Sequence, residues 1–374
     1  MLAALAAAAL LSGAARADLT IGVSVPLTGP ASGLGIPAKN AMALWPTTIG
    51  GEKVNLIILD DATDPTLGVK NARKLITEDK ADVIVGSVAT PVAVAMAGVA
   101  TELQTVQLAL SPIELPESGG VWTFRLAHSV EVMSIAMVAH MKTQGVKTVG
   151  FVGYSDAYGE SWLRDFTRVA KESGISVVAA ERYARADTSI TGQALKLTSA
   201  NPDAILIAAS GSGSAMPHKA LIERGYKGKV YQTHGAASRD LIRLGGKDVE
   251  GGFVTSGPVI VADKLPDSNP SKKIGIALND AYEKAYGAGT RNQFAGHAWD
   301  AMLILQKAVP EALKKAKPGT PAFRAALKDA IENGGRIPVS QGVLNYTAKD
   351  HWGFTPDTGV VLKIVNGDWK LEPR

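Results

Sequence analysis

The chain has 374 residues, a formal charge of +4, six histidines and no cysteine. Without cysteine there is no disulfide staple, thiolate metal site, thiol nucleophile or lipid anchor on an N-terminal cysteine. Lysine and arginine are scattered rather than striped and only 6% of residues are aromatic, which leaves nucleic-acid binding without support.

The chain opens on small apolar residues carrying one charge, Arg16, and this leader ends in Ala15-Arg16-Ala17. Its apolar run has the length of a secretory h-region, is too short to span a bilayer, and ends in an Ala-x-Ala cleavage pattern. Residues 1–17 are therefore expected to be a signal peptide; the competing reading is an apolar first helix of a cytosolic protein. No later stretch is apolar for long enough to cross a membrane. About 350 residues follow, more than one core usually holds, so two domains are expected.

Short apolar runs then alternate with helical patterns. A strand over 19–25 leads through a glycine-rich turn, 28–35, into a helix over 36–45. Strand 54–59, helix 67–78, strand 82–85, helix 91–104 and strand 107–110 follow, closed by a turn-rich loop, 111–120. After a break near 125–130 the pattern restarts with helix 130–143. It continues through strand 148–152, helix 159–173, strand 176–180, helix 190–199, strand 204–208, helix 215–224 and strand 229–232. Beyond Gly251 the alternation stops. An apolar run, 253–262, precedes helices over 271–286, 295–315 and 321–333 and short strands over 343–346 and 360–365. Strand–helix alternation predicts parallel sheets flanked by helices, here an α/β fold of two Rossmann-like lobes. No low-complexity linker separates them, so several close crossovers are expected.

In such sheets ligands sit at the carboxyl ends of strands. The first lobe offers loops 28–35, 86–91 and 111–115. In the second of these, Thr90 reads as an N-cap and Pro91 as the first helical residue. The amides of Val92 and Ala93 would then face outward at the positive end of a helix, a site for a carboxylate; a capped helix that binds nothing is the bland alternative. The second lobe offers 154–160, 210–214 and 233–235. Tyr154 and Tyr158 could cover a ring, the Ser/Gly loop permits close approach, and His234 could donate to a ligand oxygen; packing roles compete for each. Catalytic signatures fail: there is no phosphate-binding loop, dinucleotide glycine spacing or Gly-x-Ser-x-Gly elbow. The histidines at 128, 140, 218, 234, 297 and 351 lack metal-ligand spacing. No enzyme activity, cofactor or metal is expected.

The opening Ile21-Gly22-Val23-Ser24-Val25-Pro26-Leu27-Thr28-Gly29-Pro30 resembles the start of periplasmic binding proteins of the branched-chain amino-acid type, the soluble receptors of ABC importers. The resemblance continues through Asp60-Asp61, Val83-Ile84-Val85-Gly86-Ser87, Ser111-Pro112, Phe124-Arg125, Tyr158-Gly159 and Trp299-Asp300-Ala301. It implies the type I periplasmic-binding fold, with lobe 1 as 18–128 plus 260–346 and lobe 2 as 129–259 plus 347–374. A multi-strand hinge would join the lobes, which close over a ligand in the cleft. It further implies a soluble periplasmic monomer without a lipid anchor, partnered by an ABC-type inner-membrane permease.

The same resemblance implies ligand contacts at Leu34, at Ala89 and Thr90 in the carboxylate-binding stretch, and at Ile113 and Leu115. In lobe 2 it implies Tyr158, Ser210 and Gly211 where an aromatic residue stands in the amino-acid binders, and His234 where they place the acid that pairs with the ammonium. Val92 joins this set through its amide. Leu115 also replaces a hydroxyl side chain. A shift of one or two residues would leave Glu114 or Asp156 as the acid. A buried ammonium without a carboxylate is costly. The expected ligand is therefore a carboxylate without an α-ammonium and with a bulky apolar part: an aromatic acid resembling benzoate, phenylpyruvate or benzoylformate. The alternatives are a branched-chain amino-acid, amide or urea binder, or a ligand-sensing module.

Overall fold

The computed structural model describes residues 18–116 and 120–373; the expected signal peptide, 1–17, lies outside the described residues. Strand β1 (Leu19–Val25) is buried at all seven positions because helices cover both faces of its sheet. Helix α1 (Ser32–Met42), β2 (Thr48–Ile49), β3 (Glu52–Asp60), α2 (Pro65–Thr77), β4 (Val83–Gly86), α3 (Thr90–Glu102), β5 (Val106–Ala109) and β6 (Thr123–Arg125) follow. The six strands order as β2-β3-β1-β4-β5-β6. All pairings are parallel except that of β2 with β3, with Ile21 opposite both Leu56 and Val83. Asp64 starts α2 by accepting from the amides of Thr66 and Leu67, ahead of Pro65 in the first turn.

The second lobe is built from α4 (Val130–Thr143), β7 (Thr148–Tyr154), α5 (Ala157–Glu172), β8 (Ser176–Tyr183), α6 (Thr191–Ala200), β9 (Ala204–Ala208), α7 (Ala215–Glu223), β10 (Lys229–Gln232), α8 (Arg239–Gly245) and β11 (Phe253–Ser256). The chain then returns as α9 (Lys272–Tyr286), α10 (Gln293–Leu313), α11 (Pro321–Glu332) and a ribbon of β12 (Ile337–Val339) with β13 (Gly342–Leu344). Helix α10 packs along α1 and α11, so this segment belongs with the first sheet. Finally β14 (Val360–Val365) and β15 (Asp368–Leu371) join the second sheet, ordered β15-β14-β11-β10-β9-β7-β8.

The expected α/β architecture of two lobes with parallel sheets is what the chain adopts. It passes between the sheets three times: after β6, after β11 and before β14. The crossings are laced together. Tyr346 donates to the Arg125 carbonyl at 2.6 Å, the Arg125 amide donates to the His351 carbonyl at 3.0 Å, and His128 stacks on Phe354 with centroids 4.1 Å apart. Gln293 Oε1 accepts from Ser256 Oγ at 2.6 Å and from the Gly257 amide at 2.9 Å.

Departures from the sequence reading have local causes. The apolar run 253–262 is a strand only to Ser256, because Pro258 cannot donate to a ladder and opens a 3₁₀ stretch, Pro258–Lys264. Strands β2 and β6 escape notice because two or three residues hold no detectable alternation, and β15 because only Trp369 of its four residues is buried. Helix α8 is seven residues long and equally silent. The strand expected at 343–346 is Gly342–Leu344, and its partner β12 hides behind Pro338. Gly159 sets the seat of α5: a Cβ there would lie 1.8 Å from the Tyr154 carbonyl oxygen, so only glycine lets α5 start directly against the end of β7. That close seat carries Tyr158 to the cleft and buries Trp162 completely behind it.

Candidate functional site

Both parallel sheets point strand carboxyl ends at the space between the lobes, as ligand sites in open α/β sheets require. A narrow pocket lies there. Its first wall is Leu34 of α1, Val88 and Thr90 between β4 and α3, Leu110, Ser111 and Pro112 after β5, and Phe294 and His297 of α10. Its second wall is Tyr158 of α5, Arg185 after β8, Ser210 after β9, and His234 and Gly235 after β10. The lobes touch around it. A Cβ on Gly211 would stand 2.4 Å from Leu34 Cδ1, and Gln293 Nε2 donates to the His234 carbonyl at 3.1 Å.

Five of the residues singled out from sequence, Leu34, Thr90, Tyr158, Ser210 and His234, line this pocket. Gly211 sits beside it at the point of lobe contact, in a left-handed conformation with φ +53°. Ala89, Val92, Ile113 and Leu115 do not line it. Ala89 precedes α3 and is buried. Val92 packs in the core between α2 and α3, where its Cγ1 lies 2.4 Å from the place a Gly68 Cβ would take. Ile113 is buried under α3 against Ala93, Ala97 and Ala109, and Leu115 packs on the same cluster. That loop reaches the pocket through Ser111 and Pro112 instead, and Ser111 Oγ donates to the Ser87 carbonyl at 3.1 Å.

The start of α3 also differs from the expected cap. Ala89, in extended conformation, precedes the helix, and no side chain caps it; Thr90 is its first residue. The Ala93 amide is used within the helix, donating to the Ala89 carbonyl at 2.9 Å. The amides without an intrahelical acceptor are then those of Thr90 and Val92, and the first turn carries no acidic side chain. The electropositive helix end survives; the residues that present it shift by one.

The second wall carries the polar machinery. Tyr158 donates its hydroxyl to Thr233 Oγ1 at 2.8 Å and accepts from the Gly235 amide at 3.1 Å, which fixes the ring. Burial, with the nearby His297, pushes the His234 imidazole down to about 3, so it faces the pocket neutral. His297 Nδ1 lies 3.2 Å from the Leu110 carbonyl and so holds the proton, leaving Nε2 as a lone-pair acceptor. Neither His234 Nδ1 nor His297 Nε2 has a hydrogen-bond partner among the described residues.

Arg185 is the residue that sequence reasoning missed. Its Nε donates to Asp156 Oδ2 at 2.5 Å and its Nη1 to Ser210 Oγ at 2.9 Å. The guanidinium lies 4.1 Å from the Tyr154 ring centroid. Its signal was topological: it follows β8 in a turn closed by the Asp187 amide on the Ala184 carbonyl, at the same sheet edge as the other loops. The two acids left open by the sequence are both committed. Glu114 pairs with Arg164 of α5 and does not line the pocket. Asp156 caps α5 through the amides of Tyr158 and Gly159 and binds Arg185. Among the described residues no acidic side chain lines the pocket, and no cluster of histidine and acidic residues is arranged to hold a metal ion.

The buried imidazoles predict a pH response. Burial holds His218 and His297 near 4 and His234 near 3, against an ordinary 6.5. Below pH 6.5 the unfolded chain binds protons there that the folded chain refuses until about 4, so stability falls on acidification across that window. Burial raises Asp61 to about 6 and Asp300 to about 7. From about 7 for Asp300 and about 6 for Asp61 down to about 4 these carboxyls act in the opposite sense, because the folded state keeps their protons. The three imidazoles outweigh the two carboxyls. Thermal melts should show stability dropping from pH 6.5 to 4, and a His234→Gln/His297→Gln variant should flatten the slope; an unchanged slope would contradict neutral burial.

Comparisons with known proteins agree with this fold. A family model described as periplasmic binding protein matches residues 18–357. An extracellular ligand-binding receptor from Rhodopseudomonas palustris HaA2 superposes with a TM-score of 0.94 at 45% identity, covering 96% of this chain and 100% of that one. A solute-binding protein of an ABC transporter from R. palustris, solved in complex with benzoate, has a TM-score of 0.79 at 19% identity over 95% of each chain. A Leu/Ile/Val-binding protein homolog 3 from Brucella melitensis biotype 1 is 27% identical over 347 residues, 89% of this chain and 88% of that protein. Among the described residues no helix is long and apolar enough to cross a membrane.

Proposed function

The chain belongs to the periplasmic binding protein family, and we propose that it captures an aromatic carboxylate lacking an α-ammonium and delivers it to an ABC-type permease. The observation that carries the reading is the charge of the lining: among the described residues it includes one cation, Arg185, a neutral His234 and no acid. An ammonium enclosed there would have no counter-charge, a loss of roughly 3–5 kcal/mol by the measure of a broken buried pair. The carboxylate lies against the first turn of α3, where Thr90 and the open amides present the positive helix end. Leu34, Val88, Leu110 and Phe294 form the apolar walls and Tyr158 faces the ring. An aromatic group removes roughly 150–250 Å² from water, about 4–6 kcal/mol gross. With charge-assisted hydrogen bonds added and association costs subtracted, micromolar affinity is reasonable.

Binding works by closure. The ligand touches both walls only when the lobes meet, so it favours the closed state by its differential contacts. We assign lobe 1 to 18–128 plus 260–346 and lobe 2 to 129–259 plus 347–374, in a periplasmic monomer exported by its 1–17 leader. The curated relatives' names favour a second reading, leucine, isoleucine or valine. A thermal-shift panel separates the two. Benzoate, benzoylformate or phenylpyruvate should raise the melting temperature, and leucine, valine, acetamide and urea should not; the reverse result rejects the aromatic acid.

A further inference from the structure

We infer that Arg185 makes the pocket select an anion and that Asp156 is the positioning residue that aims it, an inference that rests on the carboxylate reading above. The Arg185 side chain is only 13% exposed, and its guanidinium is held on three sides, by Asp156, by Ser210 and by the face of Tyr154. Those contacts occupy Nε, Nη1 and one face, and leave Nη2 free of all three partners. A surface arginine gains nothing from such immobilisation; a guanidinium fixed beside a ligand pocket is pre-organised for a carboxylate.

The local charge balance leads to the same conclusion. Among the described residues Asp156 is the one acid paired with Arg185, yet its Oδ1 also serves the amides of Tyr158 and Gly159 at the start of α5. The other acid in the first turn of this sixteen-residue helix, Glu160, is committed to Arg182, so Asp156 answers both a full cation and the positive helix end. The wall of lobe 2 stays electropositive. The opposing wall is the first turn of α3, which has no acidic residue and no capping side chain. Closure brings two positive faces toward one small space whose lining, among the described residues, holds no acid. An anion between them converts repulsion into attraction, and a neutral molecule of the same shape does not. Arg185 thereby ties ligand charge to lobe closure. Asp156, through its bond to Nε, sets the direction in which Nη2 points, because a guanidinium is a rigid fork.

The test is calorimetry with benzoate and its neutral isostere benzamide. The native protein should prefer benzoate by at least 30-fold. Arg185→Met should abolish that preference by weakening benzoate alone, and Arg185→Lys should keep part of it. Asp156→Asn, which can still cap α5, should weaken benzoate five- to tenfold and leave benzamide unchanged, an effect that loss of a structural cap would not produce. Arg185→Met with the preference intact overturns the role of Arg185 while leaving the carboxylate reading in place. Asp156→Asn weakening both probes equally overturns the positioning role. A native protein that binds neither probe but binds leucine overturns the inference and the carboxylate reading together.

Discussion

Gly211→Val is expected to weaken binding of an aromatic acid roughly 10- to 100-fold without unfolding either lobe, as read by calorimetry and a ligand-free melt. A Cβ at this position would stand 2.4 Å from Leu34 Cδ1, and Leu34 belongs to the opposite lobe. Leu34 is 3% exposed, so its side chain has little room to retreat. Overpacking of this kind costs about 1–3 kcal/mol. The cost falls on the closed state alone, because opening separates the two residues. It therefore appears in affinity through the closure equilibrium. The left-handed φ of +53° adds a separate penalty of about 1 kcal/mol or more that open and closed states share. That shared part lowers the melting temperature by a few degrees and does not change affinity. Leu34→Ala in the same chain distinguishes the two terms. Removing the leucine methyls should restore most of the lost affinity but none of the lost stability. If affinity stays low in the double variant, the defect is local and the lobe contact at Gly211 does not govern binding.

The comparison of sequence with structure follows a physical divide. Alternating apolar strands and amphipathic helices were legible because each buries enough side chains to impose a period. Strands β1, β9 and β10 and helix α4 stand where the pattern put them. The two- and three-residue strands β2 and β6 and the seven-residue helix α8 owe their form to neighbours rather than to their own pattern, and so they were invisible.

The site divides along similar lines. Loops at strand carboxyl ends were identifiable by topology, and Thr90, Tyr158, Ser210 and His234 do meet at one pocket. Which residue of a loop turns inward was not legible. Ile113 and Leu115 are apolar and could serve either a pocket or a core; Ala93, Ala97 and Ala109 leave a space under α3 that these two fill. Ser111 and Pro112 were in the same loop and took the pocket position. The cap at Thr90 moved by one residue because the extended conformation falls on Ala89. Arg185 was hidden for another reason. Its partners lie between 25 and 31 positions away, Tyr154 and Asp156 where β7 leads into α5 and Ser210 after β9, and no local spacing joins them to Arg185.

The second large effect concerns a single functional group on the ligand. Phenylpyruvate and phenylalanine share a ring, a methylene and a carboxylate; one carries a keto oxygen where the other carries an ammonium. Every apolar wall and the α3 terminus treat the two alike. The difference lies in the second wall, where Arg185 repels an ammonium and neutral His234 cannot pair with it. The two acids that the sequence left open are committed, Asp156 to α5 and Arg185, Glu114 to Arg164. Enclosing an unpaired cation beside a fixed one should reduce affinity by at least 100-fold, about 3 kcal/mol or more. Titration calorimetry of the purified protein with this matched pair tests the account most directly. The account predicts phenylpyruvate binding in the micromolar range and phenylalanine binding at least 100-fold more weakly; phenylalanine binding as tightly as phenylpyruvate would contradict it.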